Sequence, residues 1–261
     1  MATSARKEPR ASAPRMRGAR LGQHFLMHPR IAERIVLVAG VGPEDTVLEV
    51  GPGKGMLTNA LLKQAGKVVA VEADGTLTEG LRERFAKEIA EDRLELVHAD
   101  IRNYPLPSTS YHVVANIPYY ITGEIIRLFL ESGHQPRSMT LLVQKEVAAR
   151  IAQASKASIL SLSVKAYGEP QYEFTVPRGA FVPAPKVDSA VLSIRSISRQ
   201  HFASTEEERR FFALIHAGFA HKRKKLAKNL ADAGFGTAEV PENARAEDLS
   251  LNQWLALVQK T

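Results

Sequence analysis

Between residues 46 and 144 the chain repeats one pattern, a short apolar run followed by a stretch with helical spacing. The runs are TVLEV (46–50), KVVAVEA (67–73), LELVHA (94–99), YHVVAN (111–116) and SMTLLVQ (138–144), and the helical patterns between the earlier ones cover 55–65 and 76–90. Alternation of this kind predicts a parallel sheet covered by helices on both faces, an α/β fold. Two later runs, YEFTVP (172–177) and SAVLSIRS (189–196), flank RGAFVPAPKVD and are close enough to pair antiparallel at the sheet edge. After about residue 197 the pattern turns helical, with one candidate helix over 205–231 and another over 250–259. Residues 1–20 mix Arg, Ala, Ser, Pro and Gly without periodicity and are expected to be a disordered basic tail. The expected units are therefore 1–20, an α/β domain over 21–196 and a small all-α domain over 197–261.

The net charge of +7 is unevenly placed. Residues 1–20 hold six Lys/Arg against one acid, residues 196–261 hold ten against eight, and the stretch between holds nineteen of each. A neutral body with basic ends suits a phosphate-bearing partner held from two sides; a solvated tail and a solubilising surface give the same balance. The chain has no cysteine, which excludes disulfides and thiolate metal sites. No apolar run approaches the roughly 18 residues of a membrane span, and the N-terminus lacks the apolar block of a signal peptide. A cytoplasmic monomer without a membrane partner is expected. His24 and His28 sit four apart, but the intervening FLM lacks the glutamate of a zinc-protease helix, so no metal site is expected.

At the end of the first run, VLEVGPGKG sets Glu49, Gly51, Gly53 and Gly55 where backbone can approach a ligand closely. Neither the dinucleotide spacing G-x-G-x-x-G nor the P-loop spacing G-x-x-x-x-G-K-[ST] is present. Acid-x-G-x-G-x-G instead resembles the cofactor loop of S-adenosylmethionine-dependent methyltransferases. Glu72, about 20 residues after the loop and followed by Ala73, is placed to accept from both ribose hydroxyls. In VHADI, Asp100 is either an acceptor for the adenine amine, with Ile101 packed on the ring, or a turn-former.

The segment ANIPYYIT (115–122) closes the fourth run with a polar side chain and a proline. The lone pair of an exocyclic amine on a nucleobase is delocalised into the ring, so the amine is a poor nucleophile. Acceptors at its two hydrogens draw the nitrogen toward tetrahedral geometry and free the pair. The Asn116 side-chain oxygen and the Pro118 carbonyl are the expected acceptors, Pro118 holds Ile117 extended, and Tyr119 offers a ring for stacking.

Asn-Ile-Pro-Tyr matches the Asn-(hydrophobic)-Pro-Tyr motif of adenine amino-methyltransferases. From residue 20 onward the chain resembles the ribosomal RNA adenine dimethylase family, and within it the small-subunit (16S) branch. LGQHFL (21–26), EVGPGKG, VEAD, ANIPYYIT, LLVQKEVAARI (141–151), FVPAPKVDSAV (181–191) and RAEDLS (245–250) carry the resemblance. It implies a Rossmann-like class I methyltransferase sheet, S-adenosyl-L-methionine as cofactor, and dimethylation of N6 on two adjacent adenosines in small-subunit ribosomal RNA of the immature subunit. It also implies that His24 and Leu26 lie over the cofactor, and that Phe181 forms the target-base pocket opposite Tyr119. The small helical domain would then dock RNA through Lys222, Arg223, Lys224, Lys225 and Lys228, on a helix whose apolar stripe is Phe212, Ile215, Phe219 and Leu226.

Two places depart from the family's pattern. Ala157 and Ser158 stand where many members have Tyr-Gly, and the basic segment reads His221-Lys222-Arg223-Lys224-Lys225 where Arg-Arg-Lys is common, so it has fewer forked phosphate contacts. Two other readings share parts of the pattern. A large-subunit adenine methyltransferase of the antibiotic-resistance branch carries the same Asn-Ile-Pro-Tyr, and a non-catalytic nucleic-acid binder can be built on the same fold.

Overall fold

The computed structural model describes residues 23–260; the tail expected over 1–20 and the first two residues of LGQHFL lie outside the described residues. A two-residue strand β1 (Phe25–Leu26) precedes a seven-stranded sheet made by β2 (Thr46–Val50), β3 (Lys67–Glu72), β4 (Leu94–His98), β5 (His112–Asn116), β6 (Ser138–Gln144), β7 (Glu169–Val176) and β9 (Ser189–Arg195). The sheet order is β4-β3-β2-β5-β6-β9-β7. The first five strands are parallel, while β9 runs antiparallel to both β6 and β7. The expected edge hairpin is thus present, with its second strand inserted between the first and the parallel sheet. β8 (Phe181–Val182) leaves the hairpin's connection and pairs with β1, Phe25 opposite Val182 and Leu26 opposite Phe181.

Alternation along each strand divides the core in two, because successive side chains of a strand point to opposite faces. Leu48, Val50, Val69, Val71, Val113 and Ala115 join one buried cluster. Val47, Val68, Ala70 and Val114 join the other. Helix α1 (Pro29–Ala39) covers the second face. It begins with Pro29, whose missing N–H is harmless in a first turn, and ends at Gly40 at φ 63°. On the same face α2 (Met56–Leu61) is shorter than the spacing over 55–65 predicts. The pattern over 76–90 splits into α3 (Gly75–Arg84) and α4 (Ala86–Ala90) around Phe85. Phe85 is buried, and its ring fills the space a side chain on Gly55 would need.

On the first face lie α5 (Thr122–Leu130) and α7 (Ile159–Tyr167), while α6 (Lys145–Ala152) follows β6. Ser158, at one of the two departures from the family's pattern, caps α7 by accepting from Ser161 N, and the Ser161 hydroxyl answers on the Ser158 N–H. Ala157 N donates to Glu247 O at 2.7 Å, and Lys156 Nζ meets the Glu247 carboxylate at 2.5 Å. The substituted turn is thereby tied to RAEDLS in the last quarter of the chain.

The helix expected over 205–231 is two helices, α8 (Thr205–Gly218) and α9 (Leu226–Asp232), followed by α10 (Leu251–Lys260). The seven residues after Gly218 form a turn that brings Leu226 back against Gly218, where a Cβ would lie 2.8 Å from the Leu226 side chain and 2.4 Å from Trp254. Asn229 Nδ2 clamps that turn, donating to Gly218 O at 2.6 Å and His221 O at 3.1 Å. Of the expected stripe, Ile215 lies on α8, Leu226 on α9, and Phe219 stacks on Trp254 from between them. Phe202, Phe211, Leu214 and Trp254 belong to the same buried cluster as the sheet residues, so the helical part shares a core with the α/β part.

Candidate active site

The strand order reverses between β2 and β5, whose neighbours run away in opposite directions, and a crevice opens above the carboxyl ends at such a point. One cavity there is lined by residues from 23–26, the glycine loop, the end of β3, residues 99–102 and Asn116 to Ile121. Every expected cofactor residue lies on its wall: His24, Leu26, Glu49, Gly51, Gly53, Glu72, Ala73, Asp100, Ile101 and Asn116.

The glycine loop and the end of β3 are joined by one carboxylate. Gly53 N donates to Glu72 Oε2 at 3.0 Å and Asp74 N donates to Glu72 Oε1 at 3.0 Å. Each oxygen keeps a lone pair. Burial raises the Glu72 carboxyl above its ordinary range, and the backbone N–H groups work against that rise. Gly53 sits at φ +59°, and a Cβ there would lie 2.8 Å from the Phe25 ring. Phe25 thus closes down on the loop at a spot where only glycine fits.

Glu49 is 1% exposed, and neither of its carboxylate oxygens has a hydrogen-bond partner among the described residues. Burial, with some repulsion from Glu72, pushes its pKa up to about 8; Thr58 opposes the rise without reaching hydrogen-bond geometry. A buried, unpartnered acid beside a cavity is a site for a cationic group.

Asp100 forms the turn that was one of its two expected readings, and its place is compatible with the other. It borders the cavity and also starts a turn, its Oδ1 accepting from Arg102 N at 3.0 Å. The Arg102 guanidinium holds both carboxylate oxygens and keeps the acid below its usual range. Asp100 therefore stays an acceptor at any ordinary pH. Ile101 is buried next to it.

Asn116 Nδ2 donates to His24 O at 2.9 Å. Only the NH₂ end of a carboxamide can face a carbonyl, so Oδ1 is the free end, and no group of the described residues bonds to it. Pro118 O accepts from Ile121 N at 3.1 Å and retains a second lone pair. Tyr119 is half-buried, its hydroxyl 2.6 Å from Ser189 Oγ and its ring 5.6 Å from the His24 ring, tilted by 32°. Burial raises the Tyr119 phenol pKa. His24 Nδ1 donates to Pro183 O at 2.8 Å, which leaves Nε2 as the acceptor of the neutral ring.

Phe181 is not brought into this cavity. It is 2% exposed, paired opposite Leu26, and lies in the buried cluster with Leu26, Val176 and Ala180. Its sequence position next to the proline-rich loop is right for the rim, but its place on the inner side of β8 turns the ring into the core. Lys222 to Lys225 lie on the turn between α8 and α9 rather than on a helix, and Lys228 is on α9. Lys222, Arg223 and Lys225 are exposed, while Lys224 and Lys228 each approach Asp232, at 3.6 and 3.5 Å.

Several contributors have no signature in the sequence that names their role. Phe25, Arg102, Pro183 and Ser189 act through partners 28, 2, 159 and 70 residues away. Only Arg102 carries a local signal, as a cation two positions after an acid at a strand end.

The chain is similar to known proteins over nearly its whole length. The family profile described as "Ribosomal RNA adenine dimethylase" matches residues 17–261. "Ribosomal RNA small subunit methyltransferase A" of Dehalococcoides mccartyi is 41% identical over 254 residues, 91% of this chain and 86% of that one. Among solved structures, a dimethyladenosine transferase from Plasmodium falciparum superposes with a TM-score of 0.77 at 26% identity, covering 91% of this chain and 97% of its own. The 23S rRNA methyltransferase ErmE superposes with a TM-score of 0.73 at 27% identity, covering 90% and 98%.

Proposed function

The chain belongs to the ribosomal RNA adenine dimethylase family, and on that premise we propose that it uses S-adenosylmethionine to dimethylate N6 of two adjacent adenosines in small-subunit (16S) ribosomal RNA, acting on the immature subunit. The observation that carries the reading is the Asn116 carboxamide, its nitrogen tied to the His24 carbonyl and its oxygen free beside the glycine loop.

The residues present fit that cofactor. Glu72 keeps lone pairs for two ribose hydroxyls, Asp100 offers an ionised acceptor for an adenine amine, and Leu26 and Ile101 supply apolar walls. Glu49 has an unpartnered acid for the cationic end of the ligand, and Gly51 and Ala73 leave room for close approach, while the absent side chain of Gly53 makes room for the Phe25 ring. Bound there, S-adenosylmethionine supplies a methyl group on an electrophilic sulfonium.

Everything else is positioning by this chain. Asn116 Oδ1 and the second lone pair of Pro118 O accept the two amine hydrogens and free the nitrogen's lone pair for attack. Tyr119 stacks on the extruded base, and the Ser189 hydroxyl holds the edge of its ring. The ring face also stabilises positive charge on the base. No side-chain base is required, because the methylated amine is acidic enough to lose its proton to water. Phe181 acts at one remove, anchoring β8 and through it Leu26. Lys222, Arg223 and Lys225, with Lys224 and Lys228 beside them, contact RNA phosphates from the helical part.

Mass spectrometry of small-subunit RNA from cells lacking the protein tests the reading: two adjacent dimethyladenosines should disappear, and their persistence would refute it. The similarity to ErmE motivates one rival, methylation of large-subunit RNA. Assaying the purified chain on immature small subunits and on free large-subunit RNA separates the two.

A further inference from the structure

Five large apolar side chains are exposed among the described residues: Met27, Leu37, Tyr120, Val182 and Val187. Four of them belong to segments that frame the cavity. Met27 follows β1, and its N–H donates to Ala180 O at 2.9 Å. Val182 is on β8, opposite Phe25. Val187 precedes Asp188, whose carbonyl accepts from Lys145 N just past the end of β6, and lies two residues before Ser189, the partner of Tyr119. Tyr120 lines the cavity itself, is 68% exposed, and follows Tyr119 directly. An exposed aromatic ring at the rim of a cavity is unlike apolar residues scattered singly, which need no explanation.

We infer that Tyr120 is a second stacking platform, which holds the nucleobase adjacent to the adenine in the cavity. The inference rests on the functional reading above. A base that enters the cavity leaves its neighbours with an uncovered face, and the strand must continue past the mouth. Tyr119 is half-buried and Tyr120, the next residue, is exposed at the same cavity, so the two rings offer one inner and one outer surface. Stacking reads no base edge, so it tolerates whichever base is next. Arg102 and Lys54 line the same cavity. For a substrate with two adjacent targets, the arrangement keeps the second base at the mouth while the first reacts.

The test compares Tyr120→Ala, Tyr120→Phe and a control, Leu37→Ala, with the unaltered full-length chain on unmethylated small ribosomal subunits. Cofactor affinity is measured by calorimetry, and binding of a short single-stranded oligoadenylate by fluorescence anisotropy. The expected result for Tyr120→Ala is a KM for subunits raised about tenfold, within the range for removing one base–aromatic stack. Oligoadenylate binding should weaken in parallel, with cofactor affinity unchanged. Tyr120→Phe should recover most of the loss, and Leu37→Ala should match the unaltered chain. An unchanged KM in Tyr120→Ala, or a Phe variant as impaired as the Ala variant, overturns the platform. A KM rise without any weakening of oligoadenylate binding assigns the rim to a ribosomal protein and overturns it too. If the unaltered chain is itself inactive on subunits, the functional reading fails first and the inference falls with it.

Discussion

The side-chain nitrogen of Asn116 donates to the backbone carbonyl of His24 at 2.9 Å, across 92 residues of sequence. That hydrogen bond decides which end of the carboxamide meets a substrate. It also ties the segment over the glycine loop to the proposed methyl-accepting site.

Asn116→Ala removes an acceptor used in the transition state and should lower kcat by about 10²-fold or more, the range for deleting one such polar partner. Asn116→Asp should be comparably poor, because a carboxylate faces the His24 carbonyl with no hydrogen to share. Calorimetry should find cofactor binding largely intact in both. Normal turnover in either variant removes the acceptor role.

Glu49 gives a pH signature. Its carboxyl titrates near 4.5 when unfolded and at about 8 in the folded protein. Between those values the folded state holds the extra proton, so this group's contribution to stability falls as pH rises through the window and levels off above about 8. Glu49→Gln abolishes the slope. The melting temperature of the ligand-free protein should therefore drop between pH 5 and pH 8.5 by roughly 10 °C more in the unaltered chain than in the variant. A cationic ligand prefers the ionised acid, so cofactor affinity of the unaltered chain should rise over the upper part of the same range. Parallel melting curves would show that Glu49 does not titrate there.

At Gly53 two effects can be separated. Gly53→Ala forces an L residue to φ +59°, at about 1–2 kcal/mol, and drives its Cβ against Phe25 at 2.8 Å. Cofactor Kd should rise by about tenfold or more, since 1.4 kcal/mol is one decade. Adding Phe25→Ala relieves the collision but not the backbone strain, so the double variant should regain part of the affinity. A double variant worse than the sum of its parts means that the ring supports the loop rather than merely filling space.

Replacing Lys222, Arg223 and Lys225 with Gln should weaken binding to small subunits and flatten its salt dependence. The slope of log affinity against log salt should fall by about 0.7–0.9 for each phosphate that these side chains neutralise in the unaltered chain. Cofactor affinity should not move. If the slope is unchanged, the exposed turn is only a solubilising surface.

The α/β class, the strand runs, the glycine loop and Asn-Ile-Pro-Tyr can all be read from the chain, since each is a short-range pattern written within a dozen residues. Local periodicity also locates the edge hairpin, although the position of β9 between β6 and β7 emerges only in the sheet. The apolar spacing over 205–231 continues across a turn that packs Leu226 and Asn229 back on Gly218, a tertiary contact that periodicity does not see. Phe181 departs from expectation for a different reason. Family resemblance singles out an important residue, but the pairing of β8 with β1 determines which way its ring points.

What the sequence by itself determined is the set of candidate residues: an acid and glycines at the end of one strand, a carboxylate at the end of the next, an amide at the end of another with a tyrosine just beyond it. What only the tertiary structure decided is how those residues meet. Glu72 reaches Gly53, His24 orients Asn116 and Ser189 steadies Tyr119 because the order of strands in the sheet brings their carboxyl ends to one edge. Hydrogen bonds spanning 19, 92 and 70 residues depend on the packing of the whole core, and no local pattern encodes them.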